Sequence, residues 1–341
     1  MTDNLITQLY ERLIHAPEKM KDIDWSDVEK YCVSCILGRK EVFVDDDYER
    51  LIDKMLRLCR GIPSYVIAEN HQSALYKLSE LSGIISAMPD FAYYRNYINN
   101  GNFNEMLLKH YKEGTSVVIG DSHVNFFSGH ETLEYTHIGH DMYWCRNIND
   151  LPITAIHVGP GLAYNAMRYG TTVRFLEKTE YLLGVLALNC RIMVTLGEVD
   201  LRAHVFRQVS IQNRDWRTII DDITENYISF LKFIKERGFN AGCWGPIASQ
   251  SDLVPPDQKS KYPRTGSEKE RNKATEYFNQ RMNELCRNED IMYITLFDEL
   301  IDEEYRTKTE YYATDGVHLG QAAMKLALPL LREKGFLDKD E

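Results

Sequence analysis

The amino-acid sequence predicts a protein of the α/β class, in which a parallel sheet of five strands is covered by helices and is preceded by a region made of helices alone. Two observations lead to this prediction. From Thr115 onward, short strand-like runs alternate with amphipathic helix-like runs, which is the pattern of a parallel sheet. Residues 1–112 carry helical patterns and almost no strand pattern. We therefore predict an α-helical N-terminal domain or cap over residues 1–112 and an α/β domain over residues 113–341.

The composition of the 341-residue chain is that of a globular protein, with 44% hydrophobic and 27% charged residues. The formal net charge of −11 argues against a nucleic-acid partner, which would need a concentrated basic face. The first residues lack the basic and apolar regions of a signal peptide, and the longest apolar run, around residues 181–188, is too short to span a bilayer. We therefore expect a cytoplasmic protein without a membrane span.

The N-terminal region has apolar residues at helical spacing, beginning with Leu5, Leu9 and Leu13. Further helices are predicted over residues 24–36, 48–59, 74–88 and 103–111. Seven cysteines, an odd number in a chain expected to be cytoplasmic, predict reduced thiols. Cys32-x-x-Cys35 could be half of a zinc site or a redox motif, but without a second Cys/His pair we favour two buried residues on one helix face.

The C-terminal region contains five predicted strands joined by helices. The strands are predicted over residues 117–119, 153–158, 192–196, 241–244 and 292–296, and the main helices over residues 216–237, 268–287 and 321–334. Such strands fit a flavodoxin-like, three-layer α/β/α fold with strand order 2-1-3-4-5, in which ligands bind outside the carboxyl ends of the strands, beside the first strand. Two long insertions, Gly129–Asp150 and Gly245–Gly266, follow such carboxyl ends and are predicted to wall a pocket.

A serine follows the first predicted strand, in Gly120-Asp121-Ser122. At a turn between a strand and a helix its Oγ would face solvent, and the neighbouring backbone N–H groups could stabilise an oxyanion. Asp121 could cap or orient this turn. Taken alone, the tripeptide is equally compatible with a turn that has no chemistry.

Asp315-x-x-His318, far downstream, supplies the partners that a serine nucleophile needs. The three-residue spacing lets the Asp315 carboxylate hold the His318 imidazole in one tautomer, so that the other ring nitrogen can face the serine. The alternative is a solvated turn with a surface histidine. Together, the turn and the distant pair predict a Ser-His-Asp arrangement.

These two fragments resemble the first and last sequence blocks of the SGNH/GDSL hydrolase family, in the family's order, over roughly residues 114–335. The resemblance implies Ser122 as the nucleophile, His318 as general base and acid, and Asp315 as the residue that orients the histidine. His123, directly after the serine, resembles the variant of SGNH domains associated with polysaccharide O-acylation. The resemblance therefore implies a cofactor-free serine esterase or acyltransferase that acts on O-acyl groups of a carbohydrate or polysaccharide precursor.

The family's middle blocks are matched less closely. By resemblance, the oxyanion hole would use backbone N–H groups of Ser122 and of Gly159 or Gly161, with Gly161 preferred. The third block is Gly197-Glu-Val-Asp, with Val199 where the family has an asparagine that donates to the oxyanion. A valine cannot donate, and the loss of one such donor costs on the order of 10²–10³ in rate. The candidate replacement donors are Asn125, Asn165 and Arg202.

A polar run, Glu198, Asp200, Arg202 and His204, leaves the third predicted strand. In an extended chain this alternation would place the four side chains on one face. They would form either a substrate clamp or an internal salt bridge that supports the loops, and both alternatives remain open. The predicted substrate-binding residues are Asp121, His123, Asn125, Asn165, Glu198, Asp200 and Arg202.

The first insertion contains His130, His137 and His140, which we interpret as surface residues. His137-x-x-His140 lies on a loop without a third partnered ligand, so it does not predict a metal site. Two alternatives to a serine esterase remain. One is a catalytically inactive SGNH-like carbohydrate-binding or scaffold protein of a surface-polysaccharide pathway, whose helical N-terminal domain holds a protein partner. The other is a metal-dependent hydrolase that uses Asp121, His123 and Asp315.

Overall fold

The computed structural model describes residues 5–37, 45–87, 105–106, 109–110, 116–139, 141–184, 186, 190–255 and 260–338. The chain clusters into two compact units, the first comprising Met1–Glu113, Ile138–His140 and Lys178–Leu188, and the second Gly114–His137, Asp141–Glu177 and Asn189–Glu341. Because two later segments cluster with the first unit, the predicted division of the chain between residues 112 and 113 stays a prediction.

The described part of residues 1–113 in the first unit is helical, and it contains four α-helices longer than one turn. They are α1 (Leu5–His15), α2 (Trp25–Leu37), α3 (Asp45–Ile67) and α4 (His71–Ala87). Each matches a helical pattern of the sequence, and the buried Leu9 and Leu13 show the apolar stripe that holds α1 in place. The Asp24 side chain accepts a hydrogen bond from the backbone N–H of Ser26 at 2.9 Å and so marks the start of α2. The helix predicted over residues 103–111 lies mostly outside the described residues.

Cys32 of α2 packs against Cys59 of α3 in this unit. Both side chains are fully buried, neither cysteine forms a disulfide, and their Sγ atoms are 3.7 Å apart. For Cys32 this agrees with the interpretation of a buried packing residue. The side chain of Cys35 lies outside the description.

A mixed sheet of seven strands, in the order β2-β3-β4-β1-β5-β6-β7, carries the candidate site. Its strands are β1 (Ser116–Gly120), β2 (Thr136–Gly139), β3 (Met142–Cys145), β4 (Ile153–His157), β5 (Arg191–Thr195), β6 (Asn240–Trp244) and β7 (Met292–Ile294). The parallel strands β4-β1-β5-β6-β7 follow the predicted order 2-1-3-4-5.

The prediction of a sheet with five strands, all parallel, is wrong. Strands β2 and β3 arise inside the Gly129–Asp150 insertion, and β3 pairs antiparallel with β4. Each of these two strands has only four residues, and several of them are polar or aromatic. So short a segment carries little alternation of its own, and its pairing with the edge of a preformed sheet decides its conformation.

Strand β1 is the fourth of the seven strands in this sheet and lies between the parallel strands β4 and β5. All five of its residues are buried, and since successive side chains point to opposite faces, both faces of the sheet are covered here. Gly120 ends the strand, and a Cβ at this position would lie 2.1 Å from Oγ1 of Thr195. Only glycine therefore fits, and the following residues, Asp121 and Ser122, leave the sheet at its carboxyl edge.

The remaining helices connect the strands. They are α5 (Phe175–Leu183), α6 (Val205–Gln212), α7 (Trp216–Glu236), α8 (Glu268–Asn288) and α9 (Met324–Glu333). The predictions for α7, α8 and α9 are confirmed to within a few residues. Helix α8 begins with a capping box in which Ser267 and Glu270 exchange side chain–backbone hydrogen bonds. In the part of the chain that the structure describes, no helix has the length and apolar character needed to cross a membrane.

Candidate active site

Ser122 is the first residue of a short 3-10 helix, Ser122–Ser128, that follows β1 directly. The Asp121 side chain caps this helix, because its Oδ1 accepts a hydrogen bond from the backbone N–H of His123 at 3.0 Å. Ser122 is half-buried, whereas Asp121 and His123 on either side of it are buried. The end of the central strand thus presents a hydroxyl group at the carboxyl edge of the sheet.

His318 and Asp315 lie on one turn that reaches this hydroxyl. Nε2 of His318 is 2.7 Å from Oγ of Ser122, and Nδ1 of the same ring is 2.6 Å from Oδ2 of Asp315. With its proton on Nδ1, His318 donates to Asp315 and accepts the hydroxyl hydrogen of Ser122. The structure therefore brings the three residues predicted as a triad into one hydrogen-bonded chain.

The other carboxylate oxygen of Asp315 shapes the turn itself. Oδ1 accepts the backbone N–H groups of Val317 and His318 at 2.8 Å and 3.0 Å. Burial raises the pKa of Asp315, but the hydrogen bond and charge of His318 and these two backbone donors outweigh burial and hold the pKa well below its ordinary value. Asp315 is thus an ionised group that orients its histidine and its own turn together.

The Gly245–Gly266 insertion packs against this turn, as predicted for a loop that walls the site. Nε2 of Gln250 donates to the backbone carbonyl of Asp315 at 3.3 Å. Val254 lies so close to Gly316 that a Cβ there would be 2.8 Å from its Cγ2. Sequence reasoning missed Gln250 and Val254, for which the position of the insertion after β6 was the only available signal.

The loop after β4 carries the predicted oxyanion glycines. Gly159 has φ +132°, a conformation that favours glycine. The backbone N–H of Gly161 donates to the carbonyl of Gly159 at 2.7 Å, so that in this conformation it is not available to an oxyanion. Gly161 is required for packing, because a Cβ would lie 2.4 Å from the ring of Phe175. The oxyanion roles of Ser122 and Gly159 stay predictions. Gly161 could donate to an oxyanion only after its hydrogen bond to Gly159 has opened, and its role also stays a prediction.

Asp200 holds the continuation of this loop. It is 1% exposed, and its two carboxylate oxygens accept the backbone N–H groups of Ala163 and Tyr164 at 2.8 Å and 3.2 Å. Burial raises its pKa to about 7 in spite of these donors. Both oxygens face backbone and fix the loop after β4, and the predicted contact of Asp200 with substrate stays a prediction.

Glu198 and Arg202 form a buried ion pair, with Nε of Arg202 2.6 Å from Oε1 of Glu198. Arg202 also donates to the backbone carbonyl of Tyr262. The run is not extended, because the pair lies on a helical turn that includes a π-helix, Asp200–His204. Side chains four residues apart therefore meet on one helix face. Of the two alternatives for this pair, the structure has the internal salt bridge.

His123 joins this ion pair to the triad. Its Nε2 is 3.4 Å from Oε2 of Glu198, and its ring centroid is 4.8 Å from that of His318. Burial lowers the pKa of His123, but the charges of Asp121 and Glu198 outweigh burial and raise it. His123 is only 8% exposed and lies among buried charged side chains. Little of its surface is therefore accessible to a substrate.

The two asparagines predicted as replacement donors have different environments. The Asn125 amide donates to the carbonyl of Thr132 at 2.9 Å and accepts the N–H of Glu134 at 3.3 Å, so it fixes the loop after the 3-10 helix. Its predicted contact with substrate stays a prediction. Asn165 is half-buried on the short 3-10 helix Ala163–Asn165, and its contact with substrate stays a prediction.

A cavity of about 10 Å³ lies behind the triad. Its wall includes Asp121, His123, Thr195, Glu198, Trp244 and Leu319, but neither Ser122 nor His318. The volume corresponds to about one water molecule, so the cavity is not a pocket for an acyl chain. Oδ2 of Asp121, Oε2 of Glu198 and Oγ1 of Thr195 are buried and have no hydrogen-bond partner among the described residues.

The described His, Cys, Asp and Glu side chains were candidates for a metal site. Among the described residues, no three or more His, Cys, Asp or Glu side chains are grouped so that they could hold a metal ion. Nε2 of His130 is bonded to the carbonyl of Arg146 at 2.9 Å, and His137 packs on the ring of Tyr143. His140 lies outside the description.

Comparison with known proteins finds similarity to solved structures at low sequence identity. No protein-family model matches the chain, and no curated protein matches it. A solved structure described as a candidate platelet activating factor from Streptococcus pneumonia is 17% identical, with a TM-score of 0.43 over 72% of this chain and 98% of that chain. A candidate acylhydrolase from Bacteroides fragilis is 12% identical, with a TM-score of 0.40 over 68% of this chain and 94% of that chain. At these scores we draw no functional conclusion from either likeness.

Proposed function

We propose that the protein is a serine-dependent ester hydrolase or acyltransferase of the SGNH type, with Ser122 as nucleophile, His318 as general base and acid, and Asp315 as the group that orients the histidine. The observation that carries the proposal is the pair of short contacts, 2.7 Å from Ser122 to His318 and 2.6 Å from His318 to Asp315. This chain of contacts gives a weak nucleophile the base that it needs and gives that base a fixed tautomer.

In the first half-reaction, Oγ of Ser122 bonds to the acyl carbon while its proton passes to Nε2 of His318, and the carbonyl electron pair moves to oxygen. The tetrahedral intermediate collapses when the ester C–O bond breaks, and the departing alkoxide takes the proton from His318. Water or a sugar hydroxyl then attacks the acyl carbon while its proton passes to His318. The bond between the acyl carbon and Oγ breaks, and Ser122 takes the proton from His318. The backbone N–H of Ser122, at the start of a helix, is the first candidate donor to the oxyanion.

We further propose O-acylated carbohydrate as the substrate class, on the sequence resemblance of Gly120-Asp-Ser-His123 to SGNH domains of polysaccharide O-acylation. The cytoplasmic location and a protein partner for the N-terminal domain remain parts of this proposal. The choice between water and a sugar hydroxyl as acceptor separates a hydrolase from a transferase.

The first test is the Ser122→Ala variant, assayed for release of 4-nitrophenol from 4-nitrophenyl acetate and of acetate from an acetylated sugar. We expect a loss of at least about 10³-fold in kcat, because the acyl-enzyme cannot form. Ser210→Ala, which changes an exposed serine on α6, is the matched control. Undiminished turnover by Ser122→Ala would exclude the serine mechanism.

A fluorophosphonate probe distinguishes the enzyme from the non-catalytic alternative. We expect the probe to label the folded wild-type protein at Ser122 and to leave Ser122→Ala unlabelled. Val199, which is buried and has no hydrogen-bond donor in its side chain, is the observation that favours the alternative. A folded wild-type sample that stays unlabelled and still binds an acylated oligosaccharide would support a carbohydrate-binding protein instead.

A further inference from the structure

Four charged side chains are packed together behind Ser122 and His318, and the mechanism above does not use them. Asp121, His123, Glu198 and Arg202 are exposed by only 1%, 8%, 6% and 9%, respectively. Charges are rarely buried to this extent unless they compensate one another. We call these four residues the buried charge cluster.

The contacts within the buried charge cluster form a row. Nε of Arg202 is 2.6 Å from one oxygen of Glu198, and the other oxygen of Glu198 is 3.4 Å from Nε2 of His123. Oδ1 of Asp121 accepts the backbone N–H of His123. The His123 ring then lies at a centroid distance of 4.8 Å from His318, with an interplanar angle of 43°.

The sum of these charges depends on His123. Burial raises the pKa of Asp121, and the charge of His123 acts in the opposite direction and lowers it. With both carboxylates ionised, Asp121 and Glu198 contribute two negative charges and Arg202 one positive charge, so an imidazolium at His123 makes the cluster neutral. Trp244 and Leu319 line the small cavity beside these residues, so little bulk water screens the charges. A neutral side chain at position 123 would leave one negative charge directly behind the reacting serine.

We propose that His123 is a charged positioning residue for the reaction at Ser122: its imidazolium, together with the guanidinium of Arg202, balances the negative charges of Asp121 and Glu198, and its ring supports the His318 ring. This inference rests on the proposed function. The reaction creates an oxyanion next to Ser122, and an uncompensated carboxylate nearby would oppose that anion.

The test measures kcat and KM for 4-nitrophenyl acetate in three variants: His123→Gln, Glu198→Gln and the double variant. In His123→Gln the cluster carries one uncompensated negative charge, and we expect kcat to fall about 10²-fold with KM changed less than about threefold. In the double variant the charges of Asp121 and Arg202 balance again, and we expect kcat to recover at least about tenfold from the value of His123→Gln.

A purely structural role for His123 predicts the opposite order. Two changes in one packed cluster would then cost as much as or more than one, whereas charge compensation makes the double variant faster than His123→Gln. The rate of fluorophosphonate labelling of Ser122 is the second readout, since it reports the reactivity of the hydroxyl without an ester leaving group. Circular dichroism and thermal unfolding of each variant verify that the protein is folded.

Each outcome decides one of the two proposals. Wild-type kcat in His123→Gln, or a double variant no faster than His123→Gln, overturns the role of His123 and leaves the triad intact. Undiminished turnover in Ser122→Ala instead overturns the proposed function. Should His123→Gln fail to fold, His123→Lys, which keeps a positive charge, carries the test: a folded His123→Lys protein must lose less than about tenfold in kcat, and a larger loss overturns the inference.

Discussion

Asp200 combines deep burial with two backbone hydrogen bonds, and this combination has a consequence for the pH dependence of stability. Its ordinary pKa of 3.8 applies in the unfolded chain, and burial raises the pKa to about 7 in the folded protein. Between these values the folded protein holds a proton that the unfolded chain has released. The contribution of Asp200 to stability is therefore complete below about pH 4 and is lost as the pH rises through about 7.

Replacement of Asp200 by asparagine should remove this pH dependence. Between pH 4.5 and pH 8 the free energy of unfolding should fall in the wild type. We expect the fall in Asp200→Asn to be smaller than this by about 1–4 kcal/mol. Chemical denaturation at several pH values measures the difference, and Asp298→Asn, at an exposed position, is the control. Equal slopes for wild type and Asp200→Asn would show that the carboxyl stays ionised in the fold.

At the same scale, the sequence predicted that Ser122, Asp315 and His318 lie together, but it did not predict what surrounds them. Ser122, Asp315 and His318 stand in short motifs whose chemistry follows from residue type and spacing. The tasks of Asp200 and Asn125 do not follow from their types, because a carboxylate or an amide binds backbone or substrate equally well. Only the course of the neighbouring loops decides between these partners.

At the scale of elements, the close pairing of β1 with β5 requires glycine at position 120, the last residue of β1. Gly120→Ala would place a Cβ 2.1 Å from Oγ1 and 2.3 Å from the carbonyl oxygen of Thr195, so β1 and β5 would have to separate. We expect this substitution to lower the free energy of unfolding by about 2–4 kcal/mol. Gly242→Ala in β6 is the matched control, because its Cβ would find its nearest atom at an ordinary 3.4 Å. Equal losses in the two variants would contradict this explanation.

The Gly245–Gly266 insertion is held by Arg271 of α8. This side chain is fully buried and donates to Oγ of Ser249, to the carbonyl of Gln250 and to the carboxylate of Asp252. A buried cation with three such partners fixes the course of a loop more firmly than sequence composition suggests.

Arg271→Ala should therefore act on the site from a distance. Its loss frees the segment with Gln250, which supports the Asp315 turn, and leaves buried acceptors without a donor. We expect faster proteolysis within the insertion, a lower melting temperature and a fall in kcat of about tenfold. Arg287→Ala, an exposed position on the same helix, should change none of these. Unchanged proteolysis in Arg271→Ala would contradict the anchoring role.

Among the elements, long periodic segments were predicted best. Helices α7 and α8 have clear caps and apolar stripes, and both begin at the predicted residue. Strands β2 and β3 were missed because four-residue strands take their conformation from pairing with a neighbour, which no local pattern shows.

At the scale of the whole molecule, the strand order could be predicted because alternating strands and helices allow few connections. When each crossover between parallel strands is right-handed, few strand orders are possible, and the order β4-β1-β5-β6-β7 is one of them. The added strands at the β4 edge could not be predicted in this way, since an insertion can either cover an edge or leave it open.

The overall charge of the molecule predicts a dependence on salt. A formal net charge of −11 repels anionic substrates over distances that depend on ionic strength. We expect kcat/KM for 3-carboxy-4-nitrophenyl acetate to rise severalfold between about 10 mM and 150 mM salt, because the Debye length falls from about 30 Å to 8 Å. The neutral 4-nitrophenyl acetate is the control. Parallel salt profiles for the two esters would show that the field at the site differs from that of the molecule as a whole.

The hydrogen bond between Ser122 and His318 joins positions 196 residues apart. During translation, the ribosome therefore releases the nucleophile long before it releases the base. A nascent chain that is halted anywhere between these two positions carries a hydroxyl without an activating partner. On the proposed mechanism, a chain that ends before His318 lacks the general base and would be unable to cleave esters.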